Sequence, residues 1–143
     1  GITDKDELRH QPGHLIDIMA TCMAVSGATY PKDYAGKPIQ PMEGKSLLPV
    51  FANKPIQREA IYWEHGGNRA VRAGKWKLVA KGRNGAWELY DMEADRTETN
   101  DIAAAQGPRV EKMAAMWQAY AKRTGVLPWP GKKRKRPRTK KAK

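Results

Sequence analysis

The fold is decided by residues 59–90, which read EAIYWEHGGNRAVRAGKWKLVAKGRNGAWELY. Short runs of strand-forming residues alternate here with turns rich in glycine and asparagine, a pattern typical of a β-meander. In the turn His65–Asn68, the adjacent glycines allow the positive φ angles of a tight hairpin. The predicted strands are 59–64, 69–72, 75–81 and 86–90. The stretch therefore predicts a four-stranded antiparallel sheet, with Trp76, Leu78 and Ala80 on one face of its third strand.

A helix is predicted before the sheet, over about 13–26. Apolar residues recur there at helical spacing, and Gly27 stands where a left-handed C-terminal cap is common. The apolar positions are Leu15, Ile18, Met19, Cys22, Met23 and Val25. Between this helix and the sheet, residues 28–55 contain five prolines, so we expect an ordered connector rather than regular structure.

A second helix is predicted after the sheet, over about 108–123. Pro108 occupies a first helical position and Gly125 ends the pattern. The apolar stripe consists of Val110, Met113, Ala114, Trp117 and Ala121. We expect this stripe to pack on the sheet, which gives an α+β fold with grouped strands and segregated helices.

The apolar content of the chain is low for a self-sufficient core. Only 21 of 143 residues are Ile, Leu, Val or Phe, about 15%, although five Trp, five Tyr and six Met add buriable surface. The length fits one domain, and we expect its core to be completed against something outside this chain. The single Cys22 excludes an internal disulfide.

The net charge of +12 is concentrated at one end of the chain. Residues 132–143 contain nine Lys or Arg and no acid, which leaves +3 for the rest. This distribution excludes a uniformly basic nucleic-acid-binding fold. The basic block is either a solubilising extension or a segment attracted to a polyanion, such as a sulfated polysaccharide or a nucleic acid. No apolar run approaches the ~18 residues of a membrane span.

Two stretches carry a family resemblance. Residues 64–79, EHGGNRAVRAGKWKLV, and residues 87–98, WELYDMEADRTE, resemble the C-terminal subdomain of type I sulfatases of the arylsulfatase kind. The similarity extends to residues 14–21, 44–49, 117 and 124–129. It implies a two-part enzyme of alkaline-phosphatase-like α/β fold, of which this chain looks like the end.

The resemblance implies a division of the chain into three parts. Residues 1–57 would finish the large α/β domain, 58–130 would form the C-terminal subdomain, and 131–143 would be a basic disordered tail. The implied partner is a catalytic domain that precedes Gly1, and the implied substrate is a sulfate ester, aryl or carbohydrate. A periplasmic or secreted location is likewise implied.

The chemistry that the resemblance implies is hydrolysis of sulfate esters by a formylglycine beside a calcium ion. The formylglycine arises in a Cys/Ser-x-Pro/Ala-x-Arg motif, which this sequence lacks, because Cys22 is followed by Met-Ala-Val-Ser. No catalytic or metal residue is therefore transferred to this chain, and we expect the chain alone to be inactive. The alternative is a non-enzymatic module that binds polyanions through the basic tail.

The hairpin loop at His65, Asn68 and Arg69 is the candidate substrate-binding surface. It combines a titratable ring, an amide and a guanidinium at a turn, and an Arg fork suits a sulfate or a sugar carboxylate. The alternative is a purely structural turn, with Arg69 and Arg72 paired to Glu64 or Glu88.

The remaining polar and aromatic candidates favour structural roles. His14 and Asp17 suggest a catalytic pair, but a capping or packing role is the preferred interpretation. The acidic stretch 91–98 lacks the glycine of a calcium loop, so calcium is discounted there. Trp63, Trp76, Trp87 and Trp117 are expected in the core.

Overall fold

The computed structural model of the chain describes residues 6–129. These residues form two compact units that divide between Ile61 and Tyr62. The basic block 131–143, with its predicted polyanion contact, lies outside the described residues. No helix within 6–129 combines the length and apolarity needed to cross a membrane.

The first unit contains two helices and a small hairpin. Helix α1 spans Asp17–Ser26, strands β1 and β2 span Asp33–Tyr34 and Lys37–Pro38, and helix α2 spans Leu48–Phe51. The connector predicted to lack regular structure therefore holds three short elements. Its prolines limit them to two to four residues each, because proline donates no backbone hydrogen bond.

Helix α1 ends as predicted but begins four residues late. Gly27 forms the left-handed cap with φ of 70°. At the other end, the Asp17 carboxylate accepts a hydrogen bond from the His14 backbone N–H at 2.8 Å. The His14 carbonyl in turn accepts one from the Asp17 N–H at 2.9 Å. These two bonds hold residues 14–16 in a turn, so the helix starts only at Asp17.

The buried side of α1 is small and polar rather than apolar. Asp17 and Ala20 are its buried residues, and α1 contacts α2. The predicted apolar positions are largely exposed, with Leu15 at 78% and Val25 at 67%. The stripe predicted from the spacing therefore has no cover within the part of the chain that the structure describes.

Asp17 is the polar centre of the first unit. Besides the His14 N–H, its carboxylate accepts the Lys45 backbone N–H at 2.8 Å and forms an ion pair with Arg58 at 2.5 Å. Burial alone would raise the pKa of Asp17, but the hydrogen bonds from Lys45, His14 and Arg58 together lower the pKa below its usual value. Both of these hydrogen bonds between His14 and Asp17 use the backbone of His14, and the N-terminal end of α1 has no side-chain cap hydrogen bond.

The second unit contains the predicted meander. Strands β3, β4, β5 and β6 span Ile61–His65, Asn68–Ala73, Trp76–Ala80 and Glu88–Asp91, in the order β3-β4-β5-β6. Val71 pairs with Leu78, which pairs with Leu89, and all three side chains are fully buried. This row forms the centre of the core and confirms the predicted sheet.

Helix α3 covers one face of this sheet. It spans Gly107–Thr124 and ends at Gly125 with φ of 71°. Its buried residues Met113, Trp117 and Ala121 belong to the predicted stripe, and the helix contacts β4 and β5. The α+β arrangement of grouped strands and a packed C-terminal helix is thereby confirmed.

The tryptophans are less buried than predicted. Of the four expected in the core, Trp117 alone is buried, while Trp63 is 37% exposed. Trp76 is half-buried, and Arg109 and Lys75 place cations 4.1 and 4.7 Å from the centroid of its ring. These cation–π contacts stabilise a ring at the surface without removing it from water.

Candidate functional site

The sheet has one face covered by α3 and an opposite face that carries polar groups. Tyr62 stacks on Tyr120 of α3, with ring centroids 4.4 Å apart, which places Tyr62 on the helix side. Because side chains alternate along a strand, the neighbouring Trp63 and His65 point to the other side. The same alternation places Arg72 opposite the buried Val71.

A groove of about 750 Å³ runs along this opposite face. Its lining comes from all four strands and from the adjoining loops. The lining residues are Trp63, His65, Asn68, Arg69, Ala70, Arg72, Lys77, Val79, Ala80, Lys81, Glu88 and Met92. The groove therefore combines one partly exposed indole, several cations and a single carboxylate, a composition that suits an anionic ligand with an apolar face.

The cationic side chains of the groove differ in whether they already have an ion-pair or hydrogen-bond partner in the protein. Lys77 forms an ion pair with Glu98 at 2.5 Å, and Arg72 donates its Nε–H to the Gly74 carbonyl at 3.2 Å. Among residues 6–129, Lys81 has no ion-pair partner. Lys81 and the terminal nitrogens of Arg72 thus remain for a ligand, since Arg72 uses only its Nε in this contact.

The one carboxylate in the groove lining, that of Glu88, already accepts a hydrogen bond from a tyrosine. The Tyr90 hydroxyl donates to Glu88 Oε2 at 2.7 Å. This hydrogen bond, together with burial, raises the pKa of Tyr90 to about 12. Glu88 thus has a neutral partner on the sheet, and its pairing with Arg69 or Arg72, weighed from the sequence, is not formed.

Arg69 is held against the turn that follows β5. Its guanidinium donates to the carbonyls of Gly82 at 3.2 Å, Arg83 at 2.8 Å and Gly85 at 3.0 Å. It also lies 4.6 Å from the centroid of the Trp87 ring. In this structure the predicted substrate ligand Arg69 therefore fixes the 82–85 turn, and its guanidinium lies on the α3 side of the sheet, 5.9 Å from the centroid of the Trp117 ring.

Asn68 connects the β3–β4 turn to the turn that follows β5 through hydrogen bonds of its side chain. Its amide nitrogen donates to the His65 carbonyl at 3.0 Å, and its amide oxygen accepts the Gly82 N–H at 2.8 Å. The imidazole of His65 makes no hydrogen bond within the described part of the chain, and the residue is exposed. The structure therefore brings His65, Asn68 and Arg69 together at one end of the groove, and leaves His65 with open hydrogen-bonding capacity.

Sequence reasoning missed Trp63, Arg72, Lys77 and Lys81 as groove residues. The signal that could have found them is the strand alternation, which places them on the face opposite the buried Val71, Leu78 and Ala80. That alternation is used above for the core positions of the third strand alone. Strand alternation identifies the face of the sheet on which these residues lie. It does not predict the groove, because the groove depends on the shape of the sheet and its loops.

The residues present do not fit a calcium site. Within residues 6–129, no group of three or more His, Cys, Asp or Glu is arranged to hold a metal ion. The carboxylates of the acidic stretch are used locally: Asp91 pairs with Lys75 at 2.6 Å, and Asp95 accepts the backbone N–H groups of Thr99 and Asn100. These bonds lower the pKa of both carboxyl groups and stabilise the loop itself.

Comparison with known proteins finds sulfatases among the proteins that resemble this chain in sequence or in fold. No protein-family model matches the sequence. Over 123 residues the chain is 27% identical to a protein of Schizosaccharomyces pombe that is named an uncharacterized sulfatase. The alignment covers 81% of this chain and 22% of the yeast protein. The chain thus spans about a fifth of the length of this relative.

Solved structures share the fold. Ps i-CgsB in complex with k-i-k-neocarrahexaose matches with a TM-score of 0.65 and 21% identity, over 81% of this chain and 26% of that one. BT4656 in complex with its substrate D-glucosamine-2-N,6-O-disulfate matches with a TM-score of 0.60 and 23% identity, over 82% and 25%. BT1596, a 2-O GAG sulfatase, also matches. The matches confirm the predicted resemblance and are consistent with the C-terminal part of a sulfatase.

Proposed function

We propose that this chain is the C-terminal part of a sulfuric ester hydrolase that acts on sulfated carbohydrates. In this proposal the chain completes the fold and borders the substrate pocket, and the bond-breaking residues lie in a preceding domain. The observation that carries it is the groove on the sheet face opposite α3, in a fold shared with proteins solved with carbohydrate ligands.

The proposed roles of the two parts of the enzyme follow from the motif that this sequence lacks and from the groove residues that it contains. The sequence has no Cys/Ser-x-Pro/Ala-x-Arg motif, so the formylglycine and its calcium ion are assigned to the preceding domain. Cys22 is exposed on α1 and has no such context. The chemistry of the absent groups would be cleavage of the sulfate ester, whereas the residues of this chain would bind and orient the sugar.

The groove chemistry fits a sulfated sugar better than a small aryl sulfate. Trp63 offers an exposed apolar surface to a sugar ring, while Arg72 and Lys81 offer donors to sulfate or carboxylate groups on the same or a neighbouring ring. His65 and Asn68 at the end of the groove add an imidazole and an amide. A periplasmic or extracellular site of action, where sulfated polysaccharides occur, belongs to the same proposal.

The experiment is a titration of the 143-residue chain with a sulfated heparin tetrasaccharide, followed residue by residue with amide NMR. We expect shifts at His65, Asn68, Arg72 and Lys81, and no shifts with the desulfated tetrasaccharide. Arg72→Ala should weaken binding about tenfold, since a charge-assisted hydrogen bond contributes about 1.4 kcal/mol. Arg96→Ala, which removes an exposed cation outside the groove, is the matched control and should change the affinity less than about twofold.

Two results would overturn this proposal. Shifts that are spread over the surface, or equal effects of the two arginine variants, would show that the groove is not a binding site. Turnover of an aryl sulfate by the purified chain, unaffected by a chelator, would show that the chemistry does not lie in a preceding domain.

A further inference from the structure

Three rows of side chains cross the face of the sheet that carries the groove. Residues paired on neighbouring strands lie side by side, and residues two positions apart along one strand point to the same face. The rows are, in order along β5, Arg72 with Lys77, then Ala70 with Val79 and Glu88, then Lys81. All six residues line the groove. The first and third are called the outer rows below, and the second the middle row.

The cations that are available to a ligand stand in the two outer rows. Lys77 is already paired with Glu98, so the first row offers the terminal nitrogens of Arg72, and the third row offers Lys81. Lys77 and Lys81 are four residues apart, which corresponds to about 13 Å along the strand. The Arg72 Nε–H donates to the carbonyl of Gly74, in the turn beyond the first row, so this side chain leans away from the middle row.

The middle row carries the opposite charge. Its one ionisable residue is Glu88, whose Oε2 accepts the Tyr90 hydroxyl at 2.7 Å. Among residues 6–129, no donor reaches the other oxygen, Oε1, and no cation pairs with this carboxylate. The other members of the row, Ala70 and Val79, are apolar, and Trp63 of β3 adds apolar surface to the same lining. An anionic group over this row would meet an unpaired carboxylate, whereas a hydroxyl would donate to it.

We propose that the groove favours a saccharide segment in which two sulfated rings flank one unsulfated ring. Arg72 and Lys81 contact the two sulfates, and the ring between them lies over the apolar side chains and donates a hydroxyl to Glu88. The ligand class is a polysaccharide whose charged and uncharged units alternate, rather than a uniformly sulfated one. This inference rests on the proposed function and deepens it, because it assigns a sulfation pattern to the substrate.

The size of the preference follows from two kinds of contact. A charge-assisted hydrogen bond to a second sulfate raises the affinity about tenfold. A pair of like charges about 4 Å apart in water lowers the affinity about fivefold. A sulfate on the intervening ring therefore weakens binding although it adds negative charge to the ligand. General attraction between a polyanion and the cations of the chain has the opposite effect, because it grows with each added sulfate.

The test compares three oligosaccharides of carrageenan in amide NMR titrations of the 143-residue chain. In κ-neocarratetraose, two sulfated galactose rings flank an unsulfated anhydrogalactose. The ι-neocarratetraose has the same rings with a sulfate on each anhydrogalactose, and κ-neocarrabiose has a single sulfate. Affinities are read at the amides of Ala70, Val79 and Glu88, so that binding elsewhere on the chain is not counted. We expect κ-neocarratetraose to bind about tenfold more tightly than the disaccharide and about fivefold more tightly than ι-neocarratetraose.

Variants separate the roles of the middle and outer rows. Glu88→Gln keeps an acceptor for the Tyr90 hydroxyl but removes the charge, so it should bring the two tetrasaccharides to within about twofold of each other in affinity. Glu111→Gln makes the same change of charge at an exposed position of α3 and should leave the preference unchanged. Lys81→Ala should weaken κ-neocarratetraose about tenfold but the disaccharide only about twofold, because a single sulfate can still use Arg72.

The outcomes distinguish this inference from the proposed function. Equal affinities of the two tetrasaccharides, or tighter binding of the ι form, would overturn the sulfation pattern and leave the proposed function standing. Equal affinities of κ-neocarratetraose and the disaccharide would show that the groove holds one sulfate rather than two, which also overturns the pattern alone. If none of the three ligands shifts the groove amides, the proposed function fails and this inference fails with it.

Discussion

Replacement of Arg69 by methionine tests whether this residue is structural or a ligand for substrate. Methionine keeps the length and apolar stem of the side chain but removes the five N–H donors and the charge. In the structure, those donors reach the carbonyls of Gly82, Arg83 and Gly85. We therefore expect Arg69→Met to destabilise the second unit.

The magnitude follows from the individual contacts. The bonds to the Gly82 and Gly85 carbonyls are partly buried, and a hydrogen bond to a charged group contributes about 1.5 kcal/mol or more to folding. The bond to Arg83 is exposed and adds little. The cation–π contact with Trp87 adds about 0.5 kcal/mol. The free energy of unfolding should fall by about 3.5 kcal/mol.

Urea unfolding followed by tryptophan fluorescence measures this loss. All five tryptophans lie after Tyr62, so the emission reports on the second unit. Arg72→Met is the matched control, because Arg72 makes one exposed bond to Gly74 and should cost less than about 1 kcal/mol. Equal midpoints for Arg69→Met and the unmodified chain, at equal slopes, would refute the structural role.

Three further predictions concern the core, the turn and the buried carboxylate. Leu78→Ala, at a fully buried position, should cost about 2–5 kcal/mol in urea unfolding, whereas Leu127→Ala, at a side chain 81% exposed, should stay within about 0.5 kcal/mol. Gly85→Ala should lower the melting temperature, because its Cβ would lie 2.0 Å from the Lys81 carbonyl oxygen; Gly107→Ala meets no atom within 4 Å and should be neutral or stabilising. Because the folded pKa of Asp17 is lowered, its stabilisation of the first unit is present above the unfolded pKa of about 3.9 and is lost as pH falls through the folded value. The protection factors of the Ala20 and Thr21 amides, measured against their intrinsic exchange rates, should therefore fall in acid. Asp17→Asn should remove that acid step, and an unchanged pH profile in the variant would contradict the assignment.

The sheet and α3 were predictable because their signals are local. Strand alternation and glycine turns specify the meander, and the 3.6-residue period with Gly125 specifies α3. Helix α1 shows where this reasoning fails. Its apolar spacing predicts a buried stripe, but the side chains that are buried are Asp17 and Ala20, through contacts with Lys45 and Arg58 that lie far away in the sequence.

Only one end of the groove, at the β3–β4 turn, could be predicted from the sequence. The glycine turn identified His65, Asn68 and Arg69, and all three line the groove. The sequence did not reveal that Arg69 is used by three carbonyls, because those acceptors lie 13–16 residues further along the chain. The position of Trp129 beside Gly67 is likewise a tertiary contact, and no local pattern predicts it.

The central claim is that this chain belongs to a longer sulfatase whose bond-breaking residues precede it. The most direct measurement is the coding sequence upstream of Gly1. The account predicts an in-frame Cys/Ser-x-Pro/Ala-x-Arg motif together with acidic residues for a divalent cation. A start codon immediately before Gly1 would contradict the claim, since the 143 residues would then have no preceding domain to supply the chemistry.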